Sequence, residues 1–155
     1  LGILDYGVVS QQVKVPFGYA LATDGRNGIK IINVSLLDAA PSQMFSLVQQ
    51  ATFAALMEAD KLGLETVSIP ALGTGESGCL SFHQSAQAVL SAVYAYFRHV
   101  EISSVENVKL CVYKSEKAFK TCRRIFKKGK VRSEDGCKMW EDCVAVRRRM
   151  LVQRE

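Results

Sequence analysis

Long apolar runs are missing from this sequence. No stretch of about 18 uninterrupted apolar residues occurs, so no membrane-spanning helix is expected. Metal-ligand spacing is missing too. The five cysteines (Cys79, Cys111, Cys122, Cys137 and Cys143) form no C-x-x-C pair, and the two histidines, His83 and His99, stand apart from them. That argues against a zinc site and for reduced thiols, as in a cytosolic protein. Residues 1–9 contain Asp5 and lack a basic region, so they do not read as a signal peptide. The expected location is cytoplasmic, or nuclear in a eukaryote. Neither repeats nor low-complexity segments occur, and nothing implies a cofactor. The abrupt start at Leu1-Gly2 fits a piece of something longer.

Of the 155 residues, 48% are apolar and 23% charged. This is an ordinary globular balance, and the length suits one domain. A chain of this size buries about two-thirds of its unfolded surface, enough to stand without metal or disulfide. The net charge of +5 is unevenly spread. From Lys114 onward there are 14 Lys/Arg against 6 Asp/Glu, so the basicity is C-terminal. Such a tail is either a solvated helix face or a nonspecific contact for nucleic acid or another polyanion.

Ile29–Val34 is a β-branched run after the turn signal Asp24-Gly25-Arg26-Asn27-Gly28, which predicts a strand. Pro41 suits a helix's first turn. Met44, Leu47, Val48, Ala51, Ala55 and Leu62 then recur near a 3.6 period, and Gly63 supplies a stop. Thr66–Ala71 reads as a strand. Ala86, Val89, Leu90, Val93, Tyr94 and Phe97 form the stripe of a second helix, and Val108–Tyr113 alternates as another strand. Ser115 can cap a third helix, with Phe119, Cys122 and Phe126 expected on its buried face. Helix-length connections between strands favour parallel pairing in a layered α/β sheet. A basic linker, Lys127–Arg132, precedes a last amphipathic helix that would use Met139, Cys143, Val146 and Met150. The expected division is an α/β domain over residues 1–128 and a linker plus helix over residues 129–155, the helix packing on the domain or on a partner.

The segment that carries chemistry is Gly73-Thr74-Gly75-Glu76-Ser77-Gly78, between a strand's C-terminal end and a helix. Ligands bind at such points in open α/β sheets. Glycines permit close approach and positive φ, so successive N–H groups can face one anion, and the next helix's N-terminus adds a favourable dipole. The spacing Gly73-x-Gly75-x-x-Gly78 also matches the dinucleotide fingerprint. That fingerprint, however, belongs to the first βα turn and needs an acid ending the following strand, whereas Tyr113-Lys114 stands there. No Gly-Lys-Ser/Thr follows, which excludes a Walker loop. The remaining alternative is a tight turn that binds nothing.

Ser68-Ile69-Pro70-Ala71-Leu72-Gly73-Thr74-Gly75 resembles the second phosphate-binding loop of the macrodomain family. Gly18–Gly25 resembles its G-x-A-x-x-T-x-G turn, and Leu110–Tyr113 with Ala118-Phe119 resembles its last strand and helix. The similarity covers about residues 18–127. It implies a three-layer α/β/α fold with a mixed sheet, and a binding module for ADP-ribose or a related phosphorylated nucleotide. Gly73, Thr74, Gly75, Glu76, Ser77 and Gly78 would hold the diphosphate through backbone N–H groups. Tyr113 either stacks on adenine or is an ordinary strand-end aromatic.

Departures from the family are equally specific. No Asn-Ala-Ala-Asn strand and no Gly-Gly-Gly loop precede Gly18, so the domain reads as N-terminally reduced, with Asp5 a poor stand-in for the adenine-reading acid. Ser77 replaces an aromatic, Leu80 a proline, and Asn33 a frequent histidine. The resemblance therefore implies weak binding without the family's hydrolase elements. A hydrolase would have to rely on Glu76 or Cys79. Cys79 reads as a small buried residue, the alternative being a thiol activated near a helix N-terminus. The alternative function is a ligand-free scaffold or interaction protein. Its sheet edge, left bare by the missing strand, would be covered by the C-terminal helix or by a homodimer.

Overall fold

The computed structural model describes residues 19–36, 40–75, 79–112 and 115–128. The linker and helix expected over residues 129–155 lie outside them, as do Asp5, Glu76, Ser77, Gly78 and Tyr113.

Strand β1 (Ala20–Asp24) is not announced by its own composition, Ala-Leu-Ala-Thr-Asp. It becomes a strand by pairing antiparallel with β2 (Lys30–Val34), Ala20 opposite Val34 and Asp24 opposite Lys30. The turn between them places Asn27 at φ 56, a conformation that Asn tolerates better than most residues. The Lys30 ammonium pairs with the Asp24 carboxylate across the hairpin.

Pro41 opens a short 3₁₀ turn that leads into α1 (Met44–Lys61). Met44, Val48, Ala51, Thr52, Leu56 and Ala59 are buried on one side of this helix, whereas Leu62 of the expected stripe is exposed. The helix ends in a Schellman arrangement. Leu64 N–H donates to Ala59 O at 3.0 Å and Gly63 N–H to Asp60 O at 2.9 Å. Gly63 sits at φ +66, where any Cβ would be strained.

Strand β3 (Thr66–Pro70) and β4 (Asn107–Cys111) pair in parallel, Thr66 with Asn107 through Pro70 with Cys111. Their connection is α2 (Phe82–His99), as helix-length linkage requires. Ser81 and Gln84 form a full capping box at its start. All six stripe residues expected for α2 are buried, together with Ser85, Ala88, Ser91, Ala92 and Tyr96. The burial extends nearly around the helix because α1 packs on one side and α3 (Glu116–Lys128) on another. Gln49 Nε2 donates to Ser91 Oγ at 2.6 Å between α1 and α2, and the rings of Phe53 and Tyr96 meet edge-on at 5.9 Å.

Ser115 caps α3 as expected, its Oγ accepting from Ala118 N–H at 3.2 Å. The buried face differs from the expected one. Ala118, Cys122 and Ile125 are buried, while Phe119 is 50% exposed and Phe126 half-buried. Both sets have helical spacing, and contact with α2 selects the narrower one.

Val67 and Ile69 of β3 join the helical core, whereas Thr66 and Ser68 face away and are exposed. The alternation is that of a sheet covered on one side by described helices. Among the described residues no helix is long and apolar enough to cross a membrane.

Candidate functional site

Strands β3 and β4 end together, Pro70 opposite Cys111. The glycine-rich turn after β3 and the chain after β4 therefore emerge at one end of the parallel pair. This is the carboxyl end, where ligands enter open α/β sheets. Gly73, Thr74 and Gly75 stand there.

The turn is held from several directions. Gly73 sits at φ +75, and its carbonyl accepts Leu80 N–H at 3.0 Å, which closes the loop at its base. A Cβ at Gly73 would lie 3.1 Å from Leu80 Cδ1 and 3.3 Å from Met44 Cγ. Two constraints thus converge on one glycine, the left-handed backbone and the close approach of apolar neighbours. Gly75 meets nothing within 4 Å of an added Cβ, so it borders open space. Thr74 Oγ1 donates back to Ala71 O at 2.7 Å. Its hydroxyl braces the turn.

Leu80 is buried at 9%, anchoring the returning limb. It supplies an apolar peg against Gly73. Met44, the first residue of α1, is a support that the sequence did not reveal, because only the fold brings α1 under the loop.

One expectation about the helix after the loop is corrected, and one feature of its start is new. Cys79 is exposed, not buried. The first turn of α2 is already capped: Ser81 Oγ accepts Gln84 N–H at 3.2 Å, and Gln84 Oε1 accepts Ser81 N–H at 3.0 Å. Part of the donor set that an anion would use is thereby satisfied by the protein's own side chains. Asn33 lies on the β1–β2 hairpin, where its Nδ2 donates to Thr23 Oγ1 at 3.1 Å and Leu21 O at 3.3 Å.

Protonation is shifted elsewhere, in packing positions. The Ser104 N–H holds the Asp60 carboxyl below its ordinary value, and burial pushes the Tyr96 phenol and the Cys122 thiol up. Asp60 belongs to the opposite end of the strands, where Glu65 O accepts Asn107 N–H at 2.9 Å. Among the described residues no cluster of three or more His, Cys, Asp or Glu could hold a metal ion.

The fold is similar to that of the Oceanobacillus iheyensis macrodomain. Against that protein's structure with ADP the TM-score is 0.62 at 20% identity, over 74% of this chain and 60% of the other. Against a point mutant of it with ADPR the TM-score is 0.61 at 20% identity, over 74% of this chain and 61% of the other. The form with MES bound gives 0.61 at 20% identity, again over 74% and 60%. This chain thus spans less than two-thirds of those structures' length. No protein-family model matches the chain, and no curated protein sequence matches it. At such identity the likeness is one of fold, and the fold is macrodomain-like mixed α/β.

Proposed function

We propose that this macrodomain-like chain is a binding module for ADP-ribose or a related phosphorylated nucleotide, held through backbone N–H groups of residues 73–78. The observation that carries the reading is the left-handed turn at Gly73, φ +75, at the carboxyl end of a parallel strand pair. Solved structures of similar fold contain ADP and ADPR. In this reading Tyr113, two residues beyond the end of β4, stacks on the base. Each charge-assisted hydrogen bond from these N–H groups would contribute about 1.5–3 kcal/mol.

A scaffold that has lost its ligand is the second reading. It is favoured by the inward-turned Thr74 hydroxyl and the closed capping box of α2, both of which spend polar groups within the protein. Under it, residues 129–155 serve a homodimer or protein partner, and any nucleic-acid contact is nonspecific and steeply salt-dependent.

Calorimetry and amide chemical shifts with ADP-ribose separate the two. Heat at millimolar ligand, with shifts clustered at residues 73–78 and at Tyr113, supports the binding module. A flat titration with no shifts at that concentration overturns it in favour of the scaffold. Release of ADP-ribose from a modified substrate, followed by mass spectrometry, would instead reveal a hydrolase.

A further inference from the structure

Helix α3 has two unlike sides. Ala118, Cys122 and Ile125 are buried where the helix packs on α2, and Cys122 Sγ lies 3.6 Å from Phe82 O. The outer side is basic. Lys117, Lys120, Arg123, Arg124 and Lys127 are all exposed. At 3.6 residues per turn they fall within an arc of about 120°. Against these five cations the helix has one carboxylate, Glu116, which pairs with Lys120 at 2.7 Å. No described carboxylate pairs with Lys117, Arg123 or Arg124.

Such a face works against the helix that carries it. Like charges three and four residues apart repel, and Lys117 with Lys120, Lys120 with Arg124, and Arg123 with Lys127 have that spacing. A surface charged only for solubility intersperses both signs. A hollow of about 480 Å³ is lined by Glu116, Lys117, Lys120, Thr121 and Arg124, so three of the five cations share one concave surface. Phe119 is 50% exposed and stands one turn before Arg123, at the border of the stripe.

We propose that the outer face of α3 binds single-stranded nucleic acid without sequence preference, its cations on successive phosphates and Phe119 against an unpaired base. Cations that meet a phosphate strand release its condensed counterions, and their mutual repulsion is relieved. From Lys117 to Lys127 the stripe is about 15 Å long, which matches up to about four phosphates at a rise of about 3.4 Å. An aromatic face accepts any base, because every base has a π-face. A duplex keeps its base faces stacked, so only a single strand uses both the cations and the ring. An anionic membrane fits less well. Interfacial helices sink an apolar face into lipid, and the apolar face of α3 is occupied by α2.

The test is fluorescence anisotropy of the full chain with a short labelled oligouridine and a short oligothymidine across a salt series. Cosedimentation with phosphatidylserine-containing vesicles is the second arm. Both oligonucleotides should bind, since strand charge and base faces are common to them, and binding should weaken steeply with salt. Arg123→Gln/Arg124→Gln should lower the slope of log K against log salt by about 1.4. Phe119→Ala should weaken binding about 10-fold with the slope unchanged. Amide shifts of the wild type on adding oligouridine should concentrate at residues 116–127, a readout that needs no variant. Excess ADP-ribose should leave the complex intact, because α3 is separate from the glycine-rich turn. No binding at low salt overturns the proposal, as does unchanged affinity in the double variant. Loss confined to Arg147→Gln/Arg148→Gln/Arg149→Gln, or displacement by ADP-ribose, overturns it by putting the contact elsewhere. Binding to vesicles without binding to either oligonucleotide overturns it in favour of a membrane.

Discussion

Asp60 Oδ1 accepts the backbone N–H of Ser104 at 2.7 Å, tying the last turn of α1 to the segment that enters β4. Ser104 Oγ and Ser103 Oγ donate to the same oxygen at 2.8 and 3.1 Å, and the Tyr96 hydroxyl lies 2.8 Å from Ser103 Oγ. One carboxylate thus gathers an α1 end, a loop and the α2 helix.

Asp60→Ala should cost about 1–2 kcal/mol, because it leaves the Ser104 amide without its acceptor. The pH dependence follows from the lowered carboxyl value, which the Ser104 N–H causes while burial opposes it. The folded value lies below the unfolded one, so the network's stabilisation is present above the ordinary carboxylate value and lost as pH falls through the folded one. Urea midpoints across an acid series should show this limb in the wild type and a flatter one in Asp60→Asn.

Tyr96 titrates in the opposite sense. Burial raises its phenol, so its contribution is present below the ordinary tyrosine value and lost as pH rises through the raised one. Tyr96→Phe should blunt the alkaline loss of stability while lowering neutral stability by about 1 kcal/mol through the broken bond to Ser103.

Gly73 and Gly75 should separate cleanly. Gly73→Ala meets both φ +75 and an apolar contact at 3.1 Å, and a loss of about 1–3 kcal/mol is expected. Gly75→Ala enters open space and should stay within about 0.5 kcal/mol of wild type. Thermal melts of the two variants check this. Equal losses would mean that the turn is not pinned at Gly73.

Removing the α2 cap by Ser81→Ala should cost about 1 kcal/mol, read by chemical denaturation. The same variant frees the Gln84 N–H that Ser81 Oγ now accepts. Should an anion compete for that helix end, added phosphate will restore part of the lost stability.

Thiol labelling should follow burial. Cys79 and Cys111 are exposed, whereas Cys122 is 3% exposed with its thiol pushed up by burial. Under native conditions iodoacetamide should modify Cys79 and Cys111 well before Cys122, as read by peptide mass mapping.

Much of the architecture was legible because local chemistry and tertiary role coincide. The β-branched run after Gly28, the Gly63 stop at φ +66 and the Ser115 cap each appear where their residue types are most stable. The fold class and the resemblance around Pro70–Gly75 were legible for the same reason, since a turn after a strand needs those glycines wherever it occurs.

Elsewhere several readings were open, and packing chose among them. On α3 the set Phe119/Cys122/Phe126 and the set Ala118/Cys122/Ile125 are both helical stripes, and only the position of α2 decides which is buried. Strand β1 has weak intrinsic preference and exists because β2 offers it an edge. Cys79 faces solvent because Leu80 takes the buried place beside Gly73.

Most of the described elements, their order and the place of the glycine-rich turn thus follow from the sequence, because helix stops, caps and strand propensity act within a few residues. Only the tertiary structure decided which faces are buried and that Met44 and Leu80 brace the turn. Those outcomes depend on contacts between residues far apart in the chain, whose free energies no local pattern encodes.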